Sequence, residues 1–165
     1  MDKEATVLFV EGLKNTGIDF VAYLPESYLY DVYLKLKDEK SIKAVAVESE
    51  TTGVSICAGA WLGGRSPAMV MENSGLYQAC LPITKLAIGH GIPLLLLMGY
   101  RGEIGDENYW TMPHAASPRL LDALRIPYLV VRAREEIQPF LAKARATFNA
   151  SKYPVAVLFS SEALR

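Results

Sequence analysis

A chain of 165 residues with 51% apolar and 21% charged side chains is long enough for one domain with a buried core, and its mixture excludes extended disorder. Seventeen Lys+Arg against eighteen Asp+Glu leave a formal net charge of -1, without the basic excess or stripe of a nucleic-acid binder. The longest apolar run, residues 92–99, is too short to cross a bilayer, the opening MDKEATVLFV argues against a secretory signal, and the two cysteines argue against a disulfide scaffold, so a cytoplasmic protein is expected.

In chain order, residues 3–16 place Ala5, Leu8 or Phe9, and Leu13 on one helical face, and Gly17 reads as the stop. Residues 18–24 read as a strand closed by Pro25. Helical spacing returns over 28–37 through Leu29, Val32, Tyr33 and Leu36, and 42–47 is a short β-branched run. Glu50–Leu62 is a helix of small residues, with Gly53, Ala58, Gly59 and Ala60. Residues 67–71 form a strand, and 75–88 a helix in which Pro82 forces a kink or a late start. Residues 93–98 are the most apolar strand, expected at the centre of a sheet covered on both faces. Ser117-Pro118 reads as an N-cap followed by proline at the first helical position. Tyr128–Val131, a helix over 135–149 and Val155–Phe159 complete the chain. Six strands alternating with six helices predict a single α/β domain spanning 1–165, with a doubly wound six-stranded parallel sheet and helices on both faces.

Three segments stand where chemistry is expected, at the carboxyl edge of such a sheet. Glu48-Ser49-Glu50 brings carboxylates to a strand–helix junction, where complementing the helix dipole is the ordinary reading. Met71-Glu72-Asn73-Ser74-Gly75-Leu76 opens a helix with a polar, small turn; Asn73 or Ser74 serves as N-cap, or the turn walls a polar ligand. Residues 100–116 form the one long connection and carry Arg101, Glu103, Asp106, Glu107, Tyr109, Trp110 and His114. Their ordinary reading is a solvated loop with weak ion pairs. Dinucleotide, Walker A, Gly-x-Ser-x-Gly, Cys-x-x-Cys and His-Glu-x-x-His motifs are absent, and both thiols, Cys57 and Cys80, are expected buried and inert.

Four stretches in order resemble the pyrimidine-binding (PYR) half of thiamine-diphosphate enzymes: residues 17–25, 50–60, 71–76, and 92 through Arg101-Gly102-Glu103. Within that group the chain is similar to the alpha subunit of sulfopyruvate decarboxylase and to the N-terminal half of phosphonopyruvate decarboxylase. The resemblance implies that Glu50, spaced to Gly59 as the motif requires, hydrogen-bonds N1′ of the aminopyrimidine and activates the cofactor for attack on a 2-keto acid. It implies that Pro25, Asn73, Ser74 and Gly75 face thiamine diphosphate, and that Arg101 and His114 lie toward the substrate. The chain departs from its relatives at Glu72, where they usually carry Gln, at Ser49 and Thr51 beside Glu50, at Tyr77-Gln78, and in the aromatic loop 108–114. These differences bear on the substrate, leaving open a bulkier or less anionic 2-keto acid.

Gly105-Asp106-Glu107 is not the family's Gly-Asp-Gly motif, so no diphosphate or Mg²⁺ site is read in this chain. The expectation is half of an enzyme: a hetero-oligomer whose second subunit supplies the diphosphate and Mg²⁺ site, acting on a small 2-keto acid, with no nucleic-acid or membrane partner. A carboligase or carbon–carbon lyase subunit, a non-catalytic regulatory subunit of the same fold, and a free-standing Rossmann-like binding protein are the alternatives.

Overall fold

A computed structural model describes residues 2–104, 106 and 109–165, with the backbone alone at 109–111. The elements are α1 (Lys3–Asn15), β1 (Phe20–Tyr23), α2 (Tyr30–Asp38), β2 (Lys43–Ala46), α3 (Glu50–Leu62), β3 (Pro67–Glu72), α4 (Gly75–Pro82), β4 (Leu95–Gly99), α5 (Ser117–Ala123), β5 (Tyr128–Val131), α6 (Ile137–Ser151) and β6 (Val155–Phe159). The six strands form one sheet in the order β2-β1-β3-β4-β6-β5 with every pair parallel. The predicted doubly wound α/β architecture is therefore the observed one. Every residue of β4 is buried, as its unbroken apolar run implied.

Alternation along the strands splits the core into two layers. Leu95 and Leu97 of β4 join Phe9 and Leu13 of α1, Val32 and Leu36 of α2, and Leu141 and Phe148 of α6. Leu96 and Met98 point the other way, onto Val54 and Cys57 of α3, Leu76 and Ala79 of α4, and Leu121 of α5. Cys57 is fully buried, and burial pushes its thiol up to about 12. Cys80 is only partly buried, which corrects the expectation that both thiols lie inside.

The helix after β3 takes neither form expected of it alone. Gly75–Pro82 is α-helical and Ile83–Ile88 continues as a π-helical turn. Pro82 has no N–H to return to the Gln78 carbonyl, and that carbonyl instead accepts the Thr51 hydroxyl at 3.0 Å. The lost helical bond thus becomes a tie between α4 and the first turn of α3.

Two predicted caps are also reassigned. Ser117 is the first residue of α5, fully buried, and its hydroxyl donates to the His114 carbonyl at 2.5 Å instead of capping the helix. Ser74 precedes α4, but its hydroxyl donates to Glu72 Oε1 at 2.7 Å. In both cases a partner outside the helix takes the group that local chemistry would have assigned to a helix N–H. The connection 100–116 contains a 3₁₀ segment, Tyr109–Ala116.

Candidate active site

β1 leads outward to the edge strand β2, whereas β3 leads the opposite way to β4. The carboxyl ends of β1 and β3 therefore flank a topological switch point, where open α/β sheets leave a crevice. Three of the four segments singled out by sequence, around Pro25, Asn73–Gly75 and Arg101, leave strands at or beside this point, and Glu50 reaches it from β2.

Glu48 and Glu50 separate cleanly. Glu48 is exposed, and its carboxylate accepts the Thr52 hydroxyl at 2.6 Å, which holds it below the usual carboxylate range. Ser49 is the N-cap of α3, accepting the Thr52 N–H at 3.2 Å. Glu50, the first helical residue, is 7% exposed, and its carboxylate has no hydrogen bond or ion pair among the described residues. It lies across Gly75, where an added Cβ would run into Glu50 Cγ, Cδ and Oε1. Gly75 is thus the space the carboxylate occupies. Gly53 has a different role: a Cβ there would strike the Met69 thioether, so this glycine seats α3 on β3, while a Cβ at Gly59 would meet nothing.

Asn73 is fully buried and holds the site together. Its amide nitrogen donates to the Arg101 carbonyl (3.1 Å), the His114 carbonyl (3.0 Å) and Ser117 Oγ (2.9 Å), while its oxygen accepts the Arg101 N–H (3.1 Å). The turn 73–75 therefore touches Glu50 on one side and the start of the long connection on the other.

Arg101 is a buried ion, not a surface one. Its side chain is 9% exposed, with Nε 2.9 Å from Glu72 Oε2 and Nη2 3.5 Å from Glu26 Oε2. Nη2 also donates to Ser27 Oγ, and the guanidinium lies 3.8 Å from the centre of the Tyr28 ring. The Nε–Glu72 approach is a charge contact without hydrogen-bond alignment, and His114 Nδ1 stands 3.2 Å from Glu72 Oε1, likewise without hydrogen-bond alignment. Glu26 accepts the N–H groups of Tyr28 (2.6 Å) and Leu29 (2.7 Å). Burial nevertheless pushes its carboxyl above the ordinary range, against the pull of those amides and Arg101. Gly99 lets Glu26 cross the end of β4, since a Cβ there would stand 2.6 Å from Glu26 Oε1.

Glu26 and Tyr28 are site residues that the sequence reading did not single out. The available signal was an acid a few residues ahead of a helix, just past the strand at the switch point. Pro25 is exposed beside them. Gly105, Glu107 and Asn108, and the side chains of Tyr109 and Trp110, lie outside the described residues. A cavity of about 540 Å³ opens farther along the carboxyl edge, lined by Tyr28, Tyr100, Ile104, Met112, Arg132 and Ser160 among others and not by Glu50.

Chemically, Glu50 is a buried carboxylate without a donor among the described residues, which fits an N–H donor such as the ring nitrogen of the aminopyrimidine that the resemblance implies. The described residues contain no cluster of three or more His, Cys, Asp or Glu able to hold a metal ion, and no helix long and apolar enough to cross a membrane.

No family model matches the chain. It is 31% identical over 152 residues to a sulfopyruvate decarboxylase subunit alpha of Methanococcus maripaludis, covering 92% of this chain and 91% of the relative. It is 30% identical to the protein of the same description from Methanocaldococcus jannaschii, over 90% of this chain and 89% of the relative. A phosphonopyruvate decarboxylase of Streptomyces viridochromogenes is 28% identical over 90% of this chain but only 38% of its own length.

Proposed function

The chain belongs to the family of sulfopyruvate decarboxylase alpha subunits, and on that premise we propose that it is the pyrimidine-binding subunit of a two-chain, thiamine-diphosphate-dependent 2-keto acid decarboxylase. The observation that carries the proposal is Glu50: buried, unpartnered among the described residues, and lodged over a glycine at the switch point of a parallel sheet. When bound, thiamine diphosphate supplies a thiazolium that takes up the electron pair of the carbon–carbon bond as carbon dioxide leaves.

This chain's residues do the rest. Glu50 accepts a hydrogen bond from N1′ and holds the proton there, so that the ring's exocyclic nitrogen is free to act as a base. Gly75 leaves room for that carboxylate, and Ser74 and Pro25 flank the crevice where the pyrimidine lies. Asn73 positions the turn from within. Arg101 and His114 stand at the substrate end, joined by Glu72. Residues 1–165 make one PYR domain, and a partner subunit supplies the diphosphate and Mg²⁺ sites. The word "subunit" in the relatives' descriptions supports a two-chain arrangement, and so does the match to 38% of a longer phosphonopyruvate decarboxylase.

The test is to co-express the chain with its partner subunit and follow carbon dioxide release from 2-keto acids in the presence of thiamine diphosphate and Mg²⁺. Turnover is expected from the complex, with a loss of about 100-fold or more in Glu50→Gln at unchanged assembly mass. Full turnover by the Gln variant would overturn the role given to Glu50 and return the chain to a regulatory reading.

A further inference from the structure

Two neighbouring residues of α3 meet α4 at points one turn apart. Glu50 fills the space over Gly75, the first residue of α4, and Thr51 donates its hydroxyl to the Gln78 carbonyl at 3.0 Å. That carbonyl is open to Thr51 because Pro82, four residues on, has no N–H to return to it. The proline therefore stands where it frees the acceptor one turn beyond the glycine that Glu50 crosses. Glu50 needs a hold from outside its own helix. It is the first residue of α3, where a helix lacks part of its own hydrogen bonding and frays most easily. Its carboxylate takes no hydrogen bond or ion pair among the described residues that would fix it in place. Ser49 and Thr52 spend their hydroxyls locally: Ser49 Oγ donates to Thr52 Oγ1 at 3.1 Å, and Thr52 Oγ1 donates to Glu48 at 2.6 Å. Thr51 sends its own across to another helix, and it does so from an exposed position that adds little to the core.

Resting on the decarboxylase reading above, we propose that Thr51 is a positioning residue for Glu50: through the Gln78 carbonyl it locks the first turn of α3 to α4 and so keeps the carboxylate over Gly75, where N1′ meets it. Thr51 acts through Glu50 and takes no part in the chemistry itself. A carboxylate displaced by a fraction of an ångström still lets the cofactor bind but holds the N1′ proton poorly, so the loss falls on turnover more than on binding. Thr51→Val keeps the branched shape and removes the donor, whereas Thr51→Ser keeps the donor.

The experiment compares wild type, Thr51→Val, Thr51→Ser and Glu50→Gln as two-subunit complexes loaded with thiamine diphosphate and Mg²⁺. It records kcat and KM for sulfopyruvate, assembly mass, thermal midpoint, and the rate at which the C2 proton of the bound cofactor exchanges into D₂O. The exchange needs no 2-keto acid, so it reads Glu50 whichever acid the complex decarboxylates. Thr51→Val is expected to lower both kcat and the exchange rate about ten-fold, with KM within about two-fold of wild type. Its assembly mass should be unchanged and its thermal midpoint within about 3 °C of wild type. Thr51→Ser should recover both rates to within about three-fold of wild type. Exchange at the wild-type rate in Thr51→Val would overturn the inference, and so would equal losses in the Val and Ser variants. A loss that appears only as the complex dissociates would also overturn it and make Thr51 an interface residue. These results leave the decarboxylase reading standing, provided that Glu50→Gln loses the exchange. Wild-type exchange in Glu50→Gln, or a wild-type complex that takes up no thiamine diphosphate, would overturn that reading and this inference with it.

Discussion

Single side chains decide more here than their type suggests. Glu48 and Glu50 are the same residue two positions apart, yet one is an exposed carboxylate held by Thr52 and the other a buried one without a partner among the described residues. The distinction was legible as a resemblance in spacing, but the burial that gives it physical content comes from Gly75, 25 positions away. Asn73 is the opposite case. The sequence marked it as facing the cofactor or capping α4, and the fold turns its amide to Arg101, His114 and Ser117 instead. Truncation would strand the buried Arg101 N–H and take a donor from the Arg101 carbonyl, while the Ser117 hydroxyl and the His114 carbonyl keep each other. Asn73→Ala is therefore expected to lower the unfolding free energy by about 3 kcal/mol, read from denaturant midpoints at an unchanged slope.

At the scale of elements, α3 shows why small residues need not share one purpose. Its apolar residues lie all round, so periodicity could not say which face meets the sheet. Gly53 meets β3, and Gly59 faces outward with open space beside it. Gly53→Ala must displace Met69 within a filled core and is expected to cost about 1–2 kcal/mol. Gly59→Ala should stabilise the isolated chain by roughly 0.5–1 kcal/mol through helix propensity alone. Thermal unfolding of the two variants checks the contrast, and equal shifts would refute it. The helix after β3 was readable as interrupted at Pro82. That the freed Gln78 carbonyl would be claimed by Thr51 was not readable, because the claimant sits on another helix.

For the molecule as a whole, the two core layers make the buried thiol a reporter of global opening. Cys57 lies between α3 and the sheet with its thiol pushed up to about 12, so only ~1 in 10,000 is thiolate at pH 8. Cys80 is partly exposed on α4. Iodoacetamide at pH 8 should modify Cys80 in the native protein and Cys57 only in step with global unfolding, as peptide mass spectrometry would record. Rapid native labelling of Cys57 would show a local opening of α3. The sequence by itself determined the six-and-six alternation, the parallel α/β class and the central place of β4, because periodicity, β-branching and breakers act over a few neighbouring residues. Tertiary structure alone decided the strand order, which glutamate is buried, and what neutralises Arg101. Those outcomes depend on partners brought together from far along the chain, such as Arg101 and Glu26 across 75 positions, and no local pattern encodes which distant carboxylate will arrive.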